Sequence, residues 1–130
     1  MLTYTTPGAA ANPRRREGEI MKAELFNRLY NEALEYNDAE MYIAERGWQE
    51  WMEDYAGEND EITAENIVST LNRIYVLAHK TWKEMREAAG LSQRKFCAAY
   101  YIPSRTLEAW ESGERVPPPY VKMLIAYTLL

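Results

Sequence analysis

One cysteine and one histidine are all that this chain of 130 residues offers to redox and zinc chemistry. Cys97 has no second thiol with which to close an intramolecular disulfide, and with His79 alone no zinc-type ligand cluster can be assembled. No apolar run approaches the ~18 residues of a membrane span. The first 20 residues lack the continuous apolar stretch of a secretory signal, so cytoplasm is the expected compartment. No Gly-rich phosphate loop is present. Catalysis by a nucleophile would need Cys97 or a serine beside a base, and His79 has no recognisable partner. That histidine reads instead as a cation or hydrogen-bonding group near a helix C-terminus, and Cys97, among apolar neighbours, as a core residue. Carboxylates are too numerous on the surface to point to paired acids. The expectation is neither an enzyme nor a metal or cofactor protein, and not a membrane protein.

What is present is a hydrophobic content of 47%, enough for a genuine core in one domain or two very small ones. The net charge of −5 conceals a division. Residues 76–130 carry 8 Lys/Arg against 5 Asp/Glu, or +3, whereas residues 17–75 carry 4 against 15, or −11. A basic half suits a phosphate-bearing partner, and an acidic half is repelled by the same partner and should point away from it. The plainer account of the acidic half is that its carboxylates solvate helix surfaces.

The most informative stretch is 91–113, LSQRKFCAAYYIPSRTLEAWESG. Ser92 can accept a hydrogen bond from the open amides of a first helical turn, with Leu91 and Phe96 placed as a hydrophobic staple across it. Phe96, Cys97 and Tyr100 then form a narrow apolar stripe, leaving Arg94, Lys95, Ala98 and Ala99 on the remaining surface. After the corner at Tyr100-Tyr101-Ile102-Pro103, the sequence predicts a second helix from about Pro103, whose fixed φ and missing N–H suit a first turn. Leu107 and Trp110 face inward on it, and Gly113 supplies the left-handed residue that ends it. Its opposite side presents Ser104, Arg105 and Thr106, then Glu108 and Ala109.

Two short helices around such a corner are what a helix-turn-helix needs to enter a DNA groove. Residues 81–130 resemble the lambda-repressor/Cro-type (XRE) helix-turn-helix family over about 50 residues. The resemblance rests on Leu91-Ser92-Gln93 opening one helix, on Cys97 where the family keeps a small alanine, and on Ile102 at the corner. Glu111-Ser112-Gly113 matches the family's Glu-x-Gly, and Arg115-Val116-Pro117 its basic-x-Pro exit. Thr106-Leu107-Glu108-Ala109-Trp110-Glu111 is similar to the Thr-Leu-x-x-Trp-Glu form of small regulators and antitoxins in this group. Two positions depart from the pattern: Pro103 replaces the usual serine cap, and Tyr101 stands where glycine is common, so the corner is expected to differ by a few degrees. The resemblance implies that Gln93 and Arg94 touch the DNA backbone and nearby bases, and that Ser104, Arg105 and Thr106 do the main reading. Taken alone, Gln93 and Arg94 also have a plainer reading as ordinary solvent-facing helix residues, which the assembled pattern makes the weaker one. Arg105 is the leading candidate for specificity, because a guanidinium can bridge both acceptors of guanine. Lys95 and Arg115 suit phosphates.

The acidic region reads as three helices. Met21, Leu25, Phe26, Leu29, Tyr30, Ala33 and Leu34 follow the period of one amphipathic helix running to about Tyr36. Asn37 with Glu40 resembles the capping box of a second, and Gly47 offers a place for it to end or bend. Trp48, Trp51, Met52 and Tyr55 fall at i, i+3, i+4 and i+7, more large apolar groups than so small a region needs. Part of that face is a candidate protein-interaction surface. A third helix is expected from Thr63, with Ile62 and Ile67 as its staple, continuing through Leu71, Ile74 and Ala78. The apolar period carries on through Trp82, Met85 and Ala89, but Thr81-Trp82-Lys83-Glu84 is a capping-box sequence, so a break is expected near Lys80. After Pro117-Pro118-Pro119 a last apolar helix should run over 120–130, with Val121, Leu124, Ile125 and Thr128 on one stripe. Met123, Tyr127 and the terminal leucines are then left for a dimer contact.

Residues 1–20 read as a flexible tail. Arg14-Arg15-Arg16-Glu17-Gly18 before Met21 is the pattern that purine-rich ribosome-binding sequence yields when translated in frame, which makes Met21 the expected natural start. The resulting expectation is an all-α protein with three parts. They are this tail, an acidic helical region over 21–80, and a five-helix-type lambda-repressor-like DNA-binding domain over 81–130. Its expected function is that of a sequence-specific transcriptional regulator, an autorepressor binding double-stranded DNA as a homodimer on a near-palindromic operator. The alternative is a phage or mobile-element inhibitor, of anti-CRISPR or antitoxin type, whose acidic half binds a protein target.

Overall fold

The computed structural model describes residues 21–47 and 64–130. Among these the chain is all helical, with seven helices and no strand. It divides into two compact units, whose described residues are 21–47, 64–79 and 130 in the first and 80–129 in the second. No helix among the described residues is long and apolar enough to cross a membrane.

In the first unit, α1 (Ala23–Ala33) and α2 (Ala39–Arg46) both pack on α3 (Ala64–His79). Phe26, Leu29, Tyr30 and Ala33 are the buried face of α1, and Leu71, Ile74, Leu77 and Ala78 are buried on α3. Helix α1 stops three residues short of the expected Tyr36. The amides of Glu35 and Tyr36 turn back to the carbonyls of Glu32 and Ala33, tightening the chain, and Leu34 is left exposed. The second helix is capped by Asp38, one residue after the expected Asn37, and its carboxylate accepts the Glu40 amide at 2.8 Å. Gly47 closes α2, its amide donating to the Ile43 carbonyl at 2.8 Å.

Aromatic groups tie these helices together. The Tyr42 phenol is fully buried and donates to the Leu29 carbonyl at 2.9 Å, and burial, reinforced by the nearby Glu32 charge, pushes its pKa up. Tyr75 donates to the Tyr36 carbonyl at 3.1 Å, and His79 Nε2 lies 2.8 Å from the Ala33 carbonyl, with its ring 4.2 Å from that of Tyr75. His79 thus occupies the last turn of α3 as a hydrogen-bonding partner for the end of α1. Ile62, Thr63 and the cluster Trp48, Trp51, Met52 and Tyr55 lie outside the described residues.

The second unit opens where the capping-box sequence expects a fresh start. Thr81 Oγ1 accepts the Glu84 amide at 3.1 Å, and the Glu84 carboxylate accepts the Thr81 amide at 3.0 Å. Those bonds hold the Glu84 carboxyl below its ordinary value. Helix α4 (Trp82–Ala88) then leads to α5 (Gln93–Tyr100), α6 (Ser104–Ser112) and α7 (Pro119–Leu129). Residues 80–129 therefore hold four helices, where the resemblance implies five. Their core is Trp82, Met85, Ala89, Leu91, Phe96, Leu107, Ala109, Ile125 and Ala126. Burying a Phe or Leu side chain contributes about 1.5–3 kcal/mol each, so this cluster is the chief support of the surface described next.

Helix α7 presents a different edge from the expected one. Ile125 and Ala126 are buried, whereas Leu124 is exposed. Large apolar residues cover most of the circumference of this helix, so hydrophobic period alone does not choose its inward face; packing does. Thr128 is held to the unit by polar contacts, its hydroxyl lying 2.7 Å from the Tyr100 hydroxyl and 2.6 Å from the Ile125 carbonyl.

Candidate nucleic-acid interface

Helix α5 begins as its sequence dictates. Ser92 Oγ accepts the Lys95 amide at 3.2 Å, and the flanking Leu91 and Phe96 are both buried. Phe96 and Tyr100 place their ring centres 4.7 Å apart along the inward stripe. Cys97, expected in the core, is only half-buried and lines a shallow hollow beside the corner with Ala98, Tyr101, Ile102, Pro103 and Ser104. One residue away from Phe96 along the helix, its side chain is turned off the centre of the stripe. Partial burial, together with the charges of Glu111 and Glu108, still pushes the thiol pKa up, which leaves it a poor nucleophile.

The corner is made by backbone conformation. Tyr101 takes φ 56° and ψ 45°, the left-handed region, and is the one non-glycine residue at positive φ among those described. Its Cβ meets the carbonyl there, at a cost of about 1–2 kcal/mol. The ring repays none of this in packing, because Tyr101 is 90% exposed. The departure from glycine therefore appears as strain at one residue. Pro103 is the N-cap of α6, with φ −59° and ψ 140°, and not its first helical residue; it supplies no side-chain cap. The helix is held from below by Leu107, fully buried, and by Trp110, whose ring lies 4.7 Å from that of Trp82 on α4. Gly113, at φ 80°, ends it.

An ion pair fixes α4, α5 and α6 to one another. Arg86 Nε and Nη2 donate to the two oxygens of Glu111 at 3.0 and 3.1 Å, and Nη1 donates to the Leu91 carbonyl at 3.2 Å. Both partners are largely withdrawn from water, with side chains 14% and 9% exposed. Gln93 Nε2 adds a third bond to Glu111 at 3.2 Å, which orients the amide with its nitrogen toward the carboxylate. Burial by itself would raise the Glu111 pKa, but the bonds from Arg86 and Gln93 and the Arg86 charge outweigh it and hold the carboxyl below its ordinary value. The sequence singled out Glu111 and Gln93 but not Arg86. The signal for it was its position on α4 in a stretch otherwise dominated by Trp82, Met85 and Ala89, where an inward cation needs an anionic partner.

The remaining candidate residues divide between two surfaces. Arg94 and Lys95 lie exposed in the first turn of α5, and Ser104 and Arg105 lie exposed in the first turn of α6, followed by the half-buried Thr106. Arg105, Thr106 and Arg115 line a polar hollow of about 590 Å³ together with Glu108, Ala109, Ser112 and Glu114. Ser104 lines the apolar hollow at the corner instead, and Gln93, Arg94 and Lys95 line neither. Ala109, expected on the outer face, is buried at 7% exposure, although it is among the residues lining the hollow. Arg115 is positioned through its backbone, whose amide donates to the Ala109 carbonyl at 3.2 Å. Arg94, Lys95, Arg105 and Arg115 make no ion pair among the described residues, in contrast to Arg86. No grouping among the described residues could hold a metal ion. Comparison with protein-family models, with curated proteins and with solved structures gives no significant match to this chain.

Proposed function

We propose that the chain is a sequence-specific DNA-binding regulator of the helix-turn-helix type, with α5 crossing the duplex backbone and the N-terminal end of α6 entering the major groove. The observation that carries this reading is the contrast among the arginines of the second unit. Arg86 is consumed by Glu111 to brace three helices, while Arg94 and Lys95 in the first turn of α5, Arg105 in the first turn of α6 and Arg115 beyond its end stand exposed and make no ion pair among the described residues. Cations kept free on a rigid support are what phosphate and base-edge contacts require. In this reading Arg94, Lys95 and Arg115 meet phosphates, Gln93 approaches the backbone while braced by Glu111, and Ser104, Arg105 and Thr106 address the bases. A homodimer would set two such helices about 34 Å apart on a near-palindromic operator.

Footprinting on the protein's own promoter, with Arg105→Ala alongside, tests the proposal. Wild type is expected to protect a site at moderate salt, and the variant to lose discrimination there at a cost of about 1–3 kcal/mol. Absence of any protected site refutes the regulator reading, and unchanged protection by the variant removes Arg105 from its role. The reading of the acidic half as an inhibitor of another protein depended on Trp48, Trp51, Met52 and Tyr55, and no observation among the described residues favours it.

A further inference from the structure

Resting on the DNA-binding reading, we propose that Glu108 is a second specificity residue, accepting a hydrogen bond from the exocyclic amine of a cytosine next to the guanine taken by Arg105. Both residues are exposed and line the same hollow of about 590 Å³. They stand at i and i+3 on α6, so they share one face of the helix about one turn apart. Although an ion pair between them is within reach of such spacing, neither makes a salt bridge or side-chain hydrogen bond among the described residues. A carboxylate facing a duplex is repelled by phosphate and is tolerated only where it meets a donor. In the major groove the base-edge donors are the amines of cytosine and adenine, and a carboxylate, which only accepts, matches cytosine because adenine also presents an acceptor beside its amine. Arg105, with donors only, matches the paired acceptors of guanine. Glu108 also rejects pairs that turn an acceptor toward it, so its charge sharpens the choice while lowering affinity for duplex in general.

The test is selection of binding sites from random duplex DNA by the full-length chain, repeated with Glu108→Ala, Glu108→Gln and Arg105→Ala. Wild type is expected to enrich half-sites holding a guanine and a cytosine at neighbouring positions. Glu108→Ala should keep the guanine and lose roughly 5- to 150-fold of the preference for cytosine, while binding unrelated duplex more tightly. Glu108→Gln should move the preference at that position toward adenine, which a carboxamide can bind through both N6 and N7. A merely structural role for Glu108 would move no base preference. Enrichment by wild type with an unchanged preference in both Glu108 variants overturns this inference and leaves the DNA-binding reading standing. Failure of wild type to enrich any sequence refutes that reading itself, and this inference with it.

Discussion

Replacing Glu111 with leucine strands the Arg86 guanidinium, which is 14% exposed and otherwise keeps only the Leu91 carbonyl at 3.2 Å. Removing one partner of a fully buried pair costs about 3–5 kcal/mol, whereas an exposed pair contributes about 0–1. With side chains 14% and 9% exposed and bonds of 3.0 and 3.1 Å through both carboxylate oxygens, this part-buried pair lies between those limits. A loss of about 2–3 kcal/mol is expected. At about 4–8 °C per kcal/mol for a small unit, that is a fall in Tm of roughly 10 °C or more. Urea denaturation followed by far-UV circular dichroism reads it directly. The double variant Arg86→Met with Glu111→Leu should recover most of the loss, because no uncompensated charge remains. The pair also has a pH signature. The folded-state pKa of Glu111 is lowered, so its contribution is complete above the unfolded value near 4.3 and disappears as pH falls through the lower folded value. The Glu111→Leu variant should lose less stability than wild type over that acidic window. A single variant within about 0.5 kcal/mol of wild type, or a double variant less stable than the single, would refute the assignment of this pair as the brace of α4, α5 and α6.

Three further outcomes follow from local geometry. Tyr101→Gly should stabilise the chain by about 0.5–1 kcal/mol, since relief of left-handed strain exceeds the added entropy of glycine and the exposed ring loses no packing; a lower urea midpoint would contradict this. Gly113→Ala should destabilise by about 1 kcal/mol through backbone strain alone, because a Cβ there meets nothing within 4 Å, and Gly113→Asn should lose less. Tyr42→Phe should cost about 0.5–1.5 kcal/mol for its lost bond to Leu29. Its phenol is raised above the ordinary 10.0, so wild-type stability should decline as pH climbs past 10, and the phenylalanine variant should show a smaller alkaline decline in a pH series of melts.

How far the sequence carries depends on whether a feature is local. The Ser92 cap, the Thr81 capping box, the end of α3 before Lys80 and the left-handed Gly113 are set within a few residues by which side-chain oxygen can reach which amide and by which residue tolerates positive φ. Each was legible. Where neighbours compete for the same role the position shifted: Asp38 took the cap expected of Asn37, and Pro103 capped α6 from just outside it.

Burial and pairing were decided only in three dimensions. The apolar company of Arg86 on α4 hints that it turns inward, but nothing in the linear pattern names its partner: it is tied to a carboxylate 25 positions away, whereas Arg94 remains exposed. Ala109 and Leu124 changed sides for the same reason. A periodicity names a stripe but leaves its rotation open by a residue when small or apolar groups flank it, and the neighbouring helices choose the angle that packs best. Residue type and spacing set which helices form and where they stop. Close packing then settled which of their charges were spent on holding the unit together and which were left facing outward.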